Sequence, residues 1–147
     1  MRRTIAYLWT LPTTLLGLPF LAVSLLSGGR TRVVDGVIET HGRGVAWFLR
    51  HGVPIVGGAR AMTLGHIVLG RDAESLDATR DHERIHVAQC ERWGPLFPAA
   101  YLAASLAALV RGRDPYRANV FEVAAYGGAM PGSDAGLADA GSTDDPA

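Results

Sequence analysis

The chain contains no lysine; all 14 of its basic side chains are arginine. This reads as an Arg-, Ala- and Gly-rich coding bias more than as a function. There is one cysteine, Cys90, which excludes an intramolecular disulfide and any metal cluster built on cysteine alone. Charged residues make up only 19%, below the ~25% of an ordinary soluble chain. Asp plus Glu also number 14, so the net charge is zero. No basic surplus remains to neutralise phosphates, and a nucleic-acid partner is not expected. Apolar content is 48% and glycine has no period, which excludes a collagen-like or wholly disordered chain. A length of 147 residues favours one domain.

The apolar residues are concentrated in runs. Ile5 to Leu26 holds 22 residues without a charge. As one helix it would be about 33 Å long, enough for a bilayer core. Arg2 and Arg3 precede it, Arg30 and Arg32 follow, and Tyr7 and Trp9 sit near one end, where rings favour the interface. Pro12 and Pro19 would kink it. A signal peptide is the alternative, but the run is long for one. Residues 1–29 are therefore expected to be a membrane anchor and 30–127 a folded domain. The Asp-, Gly- and Ala-rich residues 128–147 are expected to be a disordered acidic tail. A second charge-free run, Leu96 to Val110, is short for a span and suits a buried, re-entrant or interfacial helix.

Between these runs the pattern is mixed. Val33 to Glu39 reads as a strand broken by Asp35-Gly36, a hairpin-turn pair. Val45 to Arg50 suggests one or two helical turns. Ala61 to Leu69, with Thr63, Ile67 and Val68, reads as one strand. Glu74 to Trp93 reads as a helix, with Ser75, Asp77 or Thr79 as its cap and Gly94-Pro95 as its stop. Tyr116 to Tyr126 reads as a last helix. The expected fold class is α+β: an N-terminal transmembrane helix, a short sheet and a helix pair formed by Glu74 to Trp93 and Tyr116 to Tyr126.

The chemistry is concentrated on the Glu74–Trp93 helix. His82-Glu83-Arg84-Ile85-His86 is an H-E-x-x-H motif. Residues i and i+4 of a helix differ by about 40° of rotation and 6 Å of rise, so both imidazoles can reach one ion at about 2.0–2.1 Å. Glu83 then stands beside the metal, placed to accept a proton from a bound water whose pKa zinc lowers to about 7. A catalytic zinc needs a third protein ligand and an open fourth position. No His follows His86, so the ligand must be acidic. Glu122 is the best choice, because an unpaired charge on its otherwise apolar helix would be costly and a cation resolves that cost. Two imidazoles and one carboxylate suit Zn2+. Tyr126, Asn119 and His66 are candidates to support a ligand or to donate to an oxyanion. Gln89, one turn beyond His86, can bond a neighbouring backbone group. Cys90 defaults to a small buried hydrophobe.

H-E-x-x-H followed by a Glu on a second helix resembles the gluzincin metallopeptidases. It is similar in particular to the membrane-embedded HtpX-type branch, in which apolar helices separate the two motifs as Leu96 to Val110 does here. The phrase His82 to Gln89 also looks like the H-E-x-x-H-x-x-Q of small bacterial zincin-like proteins. The likeness covers roughly residues 60 to 126, and the chain departs from the HtpX-type pattern at Tyr126, where Asp would follow the Ala. The resemblance implies zinc on His82, His86 and Glu122, with Glu83 as general base. The expected function is thus a membrane-associated zinc metallopeptidase, with membrane lipid and a peptide or protein substrate as partners. The alternative is a non-catalytic membrane protein that zinc stabilises. A fourth ligand from Cys90 or His66 would favour the alternative.

Overall fold

The structure is a computed structural model that describes residues 2–127 apart from residue 56; the expected tail, 128–147, lies outside the described residues. Two helices open it, α1 (Arg2–Leu15) and α2 (Leu18–Leu26). Then come strands β1 (Arg30–Val34) and β2 (Val37–His41), helix α3 (Arg43–His51), strands β3 (Ala61–Leu64) and β4 (Ile67–Gly70), and the long helix α4 (Ala73–Trp93). A 3-10 turn over Gly94–Leu96 leads into α5 (Phe97–Val110), and α6 (Val120–Ala125) ends the described part. The fold is mixed α+β.

The sheet has the order β1-β2-β4-β3. Asp35 and Gly36 have φ of 51° and 84°, the double positive φ of the tight hairpin turn that joins β1 to β2. β2 and β4 run parallel, and α3 makes the crossover. Ala61 to Leu69 is not one strand. Leu64 pairs with Ile67 across a two-residue turn at Gly65-His66, so β3 and β4 form a second hairpin. Gly65 permits this with φ 62°; a side chain there would also meet Thr14 Oγ1 of α1 at 2.2 Å.

Alternation sorts the strands into two faces. Val37 and Val68 pack with Leu76 and Val87 of α4. Ile67 and Leu69 pack on the other face with Val45 and Leu49 of α3. All four residues of β4 are buried, as befits a strand covered on both sides. On the α4 face Glu39 is buried, held by Arg32 of β1 at 2.8 Å and by Arg80 of α4 at 3.0 Å.

The 22-residue apolar run is not one membrane helix. α1 and α2 are bent by 64° across Leu16-Gly17. Pro12 lies inside α1 and Pro19 in the first turn of α2, where its missing N–H has no helical partner to lose. The break falls at Gly17, where a Cβ would meet Ile67 at 2.9 Å. At about 21 and 14 Å, neither helix alone matches a ~30 Å hydrocarbon core. Both pack on the rest of the chain. Tyr7 donates to the Gly36 carbonyl, Thr13 to the Gly94 carbonyl and Ser24 to the His41 carbonyl. One helical stretch, Ala73–Val110, contains a segment long and apolar enough to cross a membrane, and the bent pair passes the same test as a unit. The charge-free part of that stretch begins at Trp93; α4 itself carries charges along its length.

The cap of α4 is Asp72, whose carboxylate accepts from Ser75 N at 2.7 Å, rather than Ser75, Asp77 or Thr79. The last helix is shorter than the sequence suggests. It starts only where Asn119 accepts from Phe121 N.

Candidate metal centre

α4 lies along the sheet and places its C-terminal half between β3 and α6. His82 and His86, one turn apart, face Glu122 of α6. The two Nε2 atoms are 3.0 Å apart. Each is 3.3 Å from a Glu122 oxygen, His82 from Oε2 and His86 from Oε1. Three ligands at the corners of a tetrahedral zinc site, with bonds of ~2.0–2.1 Å, would stand about 3.3 Å from one another. The trio already has that spacing. It is also the one group of three or more His, Cys, Asp or Glu, among the described residues, whose donor atoms converge within 4.8 Å.

Hydrogen bonding fits a cation at the centre. Gln89 Nε2 donates to the Phe121 carbonyl at 3.0 Å, which fixes the amide so that its Oε1 faces His86 Nδ1 at 2.8 Å. Nδ1 therefore carries a proton, and Nε2 is left as the nitrogen that faces Glu122 and can ligate a metal once it gives up its own proton. Glu122 Oε1 accepts from the Tyr101 hydroxyl at 2.6 Å. Glu122 Oε2 is buried without an aligned donor, and so is His82 Nδ1. An orphaned carboxylate oxygen turned toward two imidazoles is a costly arrangement that a shared cation relieves. Burial would raise the Glu122 carboxyl, but His82 and His86 overcome it and hold it well below the usual range. Burial would likewise lower His86, and Glu122 reverses that, raising it.

Glu83 is 5% exposed. Thr63, on the edge strand β3, donates to its Oε2 at 2.6 Å. Burial raises the Glu83 carboxyl against the pull of His86 and Thr63. The Tyr126 ring lies 4.2 Å from that of His82, and its hydroxyl is 3.2 Å from that of Tyr116. Tyr126 is thus beside the trio. Asn119 is not a partner of a ligating imidazole: its amide donates to the Tyr101 carbonyl and to Ser105 Oγ, tying α6 to α5. His66 is elsewhere too, with Nδ1 on Thr10 Oγ1 at 2.9 Å and Nε2 on Glu91 at 3.0 Å. Cys90 is fully buried, and burial pushes its thiol up to about 11.

Two contributors were not visible in the sequence. Thr63 looks like any strand-forming residue. Tyr101 carries a weak signal, since a lone tyrosine in a charge-free run needs a partner for its hydroxyl. No family model, no curated protein and no solved structure matches this chain.

Proposed function

We propose that this chain is a membrane-associated zinc metallopeptidase. The observation that carries the reading is the three-ligand set of His82, His86 and Glu122, with the buried Glu83 next in sequence to a ligand. Among the described residues neither Cys90 nor His66 supplies a fourth ligand, and three protein ligands with a free position are the catalytic pattern.

Zinc held there supplies a Lewis acid that polarises a peptide carbonyl and makes a bound water acidic near neutral pH. Glu83 takes the proton of the attacking water and passes it to the leaving amine. The Thr63 hydroxyl holds Glu83 Oε2 and so fixes the carboxylate in one orientation. In this reading the Tyr126 hydroxyl, paired with that of Tyr116 at 3.2 Å and carried on a ring beside His82, donates to the carbonyl oxygen as charge develops. Membrane association rests on leucines that no other part of the described fold covers. Leu102, Leu106 and Leu109 form one exposed face of α5, and Leu8, Leu25 and Leu26 are exposed on α1 and α2.

A specific observation supports the rival, a zinc that only ties helices together. The trio joins α4 to the six-residue α6, and the Tyr126 ring covers His82. Hydrolysis of fluorescently labelled casein by the full chain in detergent separates the two readings. The peptidase reading expects zinc-dependent cleavage that a chelator stops and Glu83→Gln abolishes while keeping its zinc. A zinc-loaded wild type that cleaves no more than Glu83→Gln would overturn the peptidase and leave the structural zinc.

A further inference from the structure

One cavity lies away from the metal centre. It has a volume of about 800 Å³ and sits between the loop that follows α2, one side of α3 along its whole length and the residues that lead into α4. Its cationic lining is Arg43, Arg50 and Arg71, with His41 and His51 beside them. Asp72 is the one acidic residue in the lining; its carboxylate caps Ser75 N and its charge also faces His41 and Arg50, so three arginines stand against one carboxylate. Among the described residues neither Arg43 nor Arg50 forms an ion pair, and both are exposed. Arg71 is pinned by the Ala59 and Gly57 carbonyls, so its charge is fixed in place but not neutralised. Gly29, in the loop after α2, and Gly44, in the first turn of α3, are both in the lining. A side chain at Gly29 would meet the His41 carbonyl at 2.1 Å, and one at Gly44 would meet Val23 at 2.4 Å.

The rim is apolar. Leu25 and Leu26 of α2 immediately precede the lining residues Ser27 to Gly29, and Leu26 is 89% exposed. Trp47, itself in the lining, is 64% exposed against His51. A basic cleft bordered by exposed leucines and a tryptophan has the composition of a membrane–water boundary. Arginine matches a phosphate through paired N–H donors.

From this juxtaposition we infer that the cleft holds the phosphodiester headgroup of an anionic glycerophospholipid, with the acyl chains lying against α2. The site rests on the membrane association proposed above and not on peptidase activity. It gives the chain a lipid preference and fixes how it sits on the surface, with the α2 end of the sheet toward the bilayer.

The test is flotation of the full chain with vesicles of phosphatidylcholine alone and of phosphatidylcholine mixed with phosphatidylglycerol. Wild type is expected to bind the anionic vesicles more tightly. Arg43→Gln/Arg50→Gln is expected to lose about 30-fold of that binding, five- to sixfold per arginine, and to match wild type on the neutral vesicles. Both side chains are exposed, so an unchanged melting midpoint and zinc content show that the variant is folded. Arg60→Gln/Arg117→Gln carries the same charge change outside the cleft and should keep most of the preference. An equal loss there would reduce the effect to net charge and overturn the site. Equal binding of wild type to both vesicles would overturn the headgroup site alone, whereas binding to neither would overturn the membrane reading beneath it. A saturable thermal shift with inorganic phosphate at constant ionic strength, absent from the cleft variant and unaccompanied by a vesicle preference, would assign the cleft to a free anion and overturn the lipid.

Discussion

Removing the Gln89 side chain should weaken zinc binding without touching a ligand. Gln89 makes two bonds at once: its Oε1 accepts from His86 Nδ1 at 2.8 Å and its Nε2 donates to the Phe121 carbonyl at 3.0 Å. The first bond selects the tautomer with a free Nε2 lone pair; the second ties α4 to the helix that carries Glu122. In Gln89→Ala, His86 can move its proton to Nε2, where it blocks coordination. Loss of such a partner costs 10–100-fold in metal affinity, or about 1.4–2.8 kcal/mol. The metal-free protein should also lose about 1–3 kcal/mol, from two hydrogen bonds worth ~1 kcal/mol each and a carbonyl left unsatisfied. Gln89→Glu separates the two roles, because a carboxylate still accepts from Nδ1 but cannot donate to Phe121. It should keep zinc affinity near that of wild type while losing the stability contribution. Competition against a fluorescent zinc chelator reads the affinity, and urea unfolding of the metal-free chain reads the stability. If Gln89→Ala binds zinc within about twofold of wild type, the tautomer argument is wrong.

Other substitutions probe other links. Thr63→Val removes the donor to Glu83 Oε2 and should lower kcat about tenfold or more at unchanged zinc content; kcat equal to wild type would remove Thr63 from the site. At Glu39, burial raises the carboxyl, but Arg80 and Arg32 outweigh it and hold it below the usual carboxylate range. A depressed folded-state pKa contributes stability above the unfolded value and loses it as pH falls through the folded one. Glu39→Gln should therefore be less stable than wild type by about 1–3 kcal/mol at pH 7, with the gap closing below pH ~4. Urea midpoints measured down the pH scale check this, and a gap that stays constant into acid would contradict it. Gly65→Ala should destabilise by more than about 1 kcal/mol, since it forces a side chain into φ 62° against Thr14; a melting midpoint at or above wild type would show that the β3–β4 turn is not as described.

Local signals in the sequence located the local features. Asp35-Gly36 announces a hairpin turn because both positions tolerate positive φ. The H-E-x-x-H spacing sits inside a helix whose Gly94-Pro95 stop is where expected. What failed was hidden behind stronger local patterns. The β-branched Thr63, Ile67 and Val68 made 61–69 look continuous, and the turn at Gly65 exists because α1 packs against it. Pro19 does end the first helix, because its ring excludes the carbonyl four residues back at Leu15, and Gly17 in the break lies close against Ile67. His66 and Asn119 carry the right chemistry for a site, but their hydrogen bonds go elsewhere, to Thr10 and Glu91 and to the cap of α6. Glu122 could be named from an energetic argument about a lone carboxylate on an apolar helix. Thr63 and Tyr101 could not, because their roles arise only from contacts across 20 and 21 residues of chain.

The central claim is that His82, His86 and Glu122 bind a metal that Glu83 adjoins but does not hold. Metal content of the purified full chain, measured by mass spectrometry after zinc reconstitution, tests it most directly. The account predicts about one zinc in wild type and in Glu83→Gln, with zinc lost or much weakened in His82→Ala and Glu122→Ala. A wild type without zinc, or zinc retained equally in all four proteins, would contradict it.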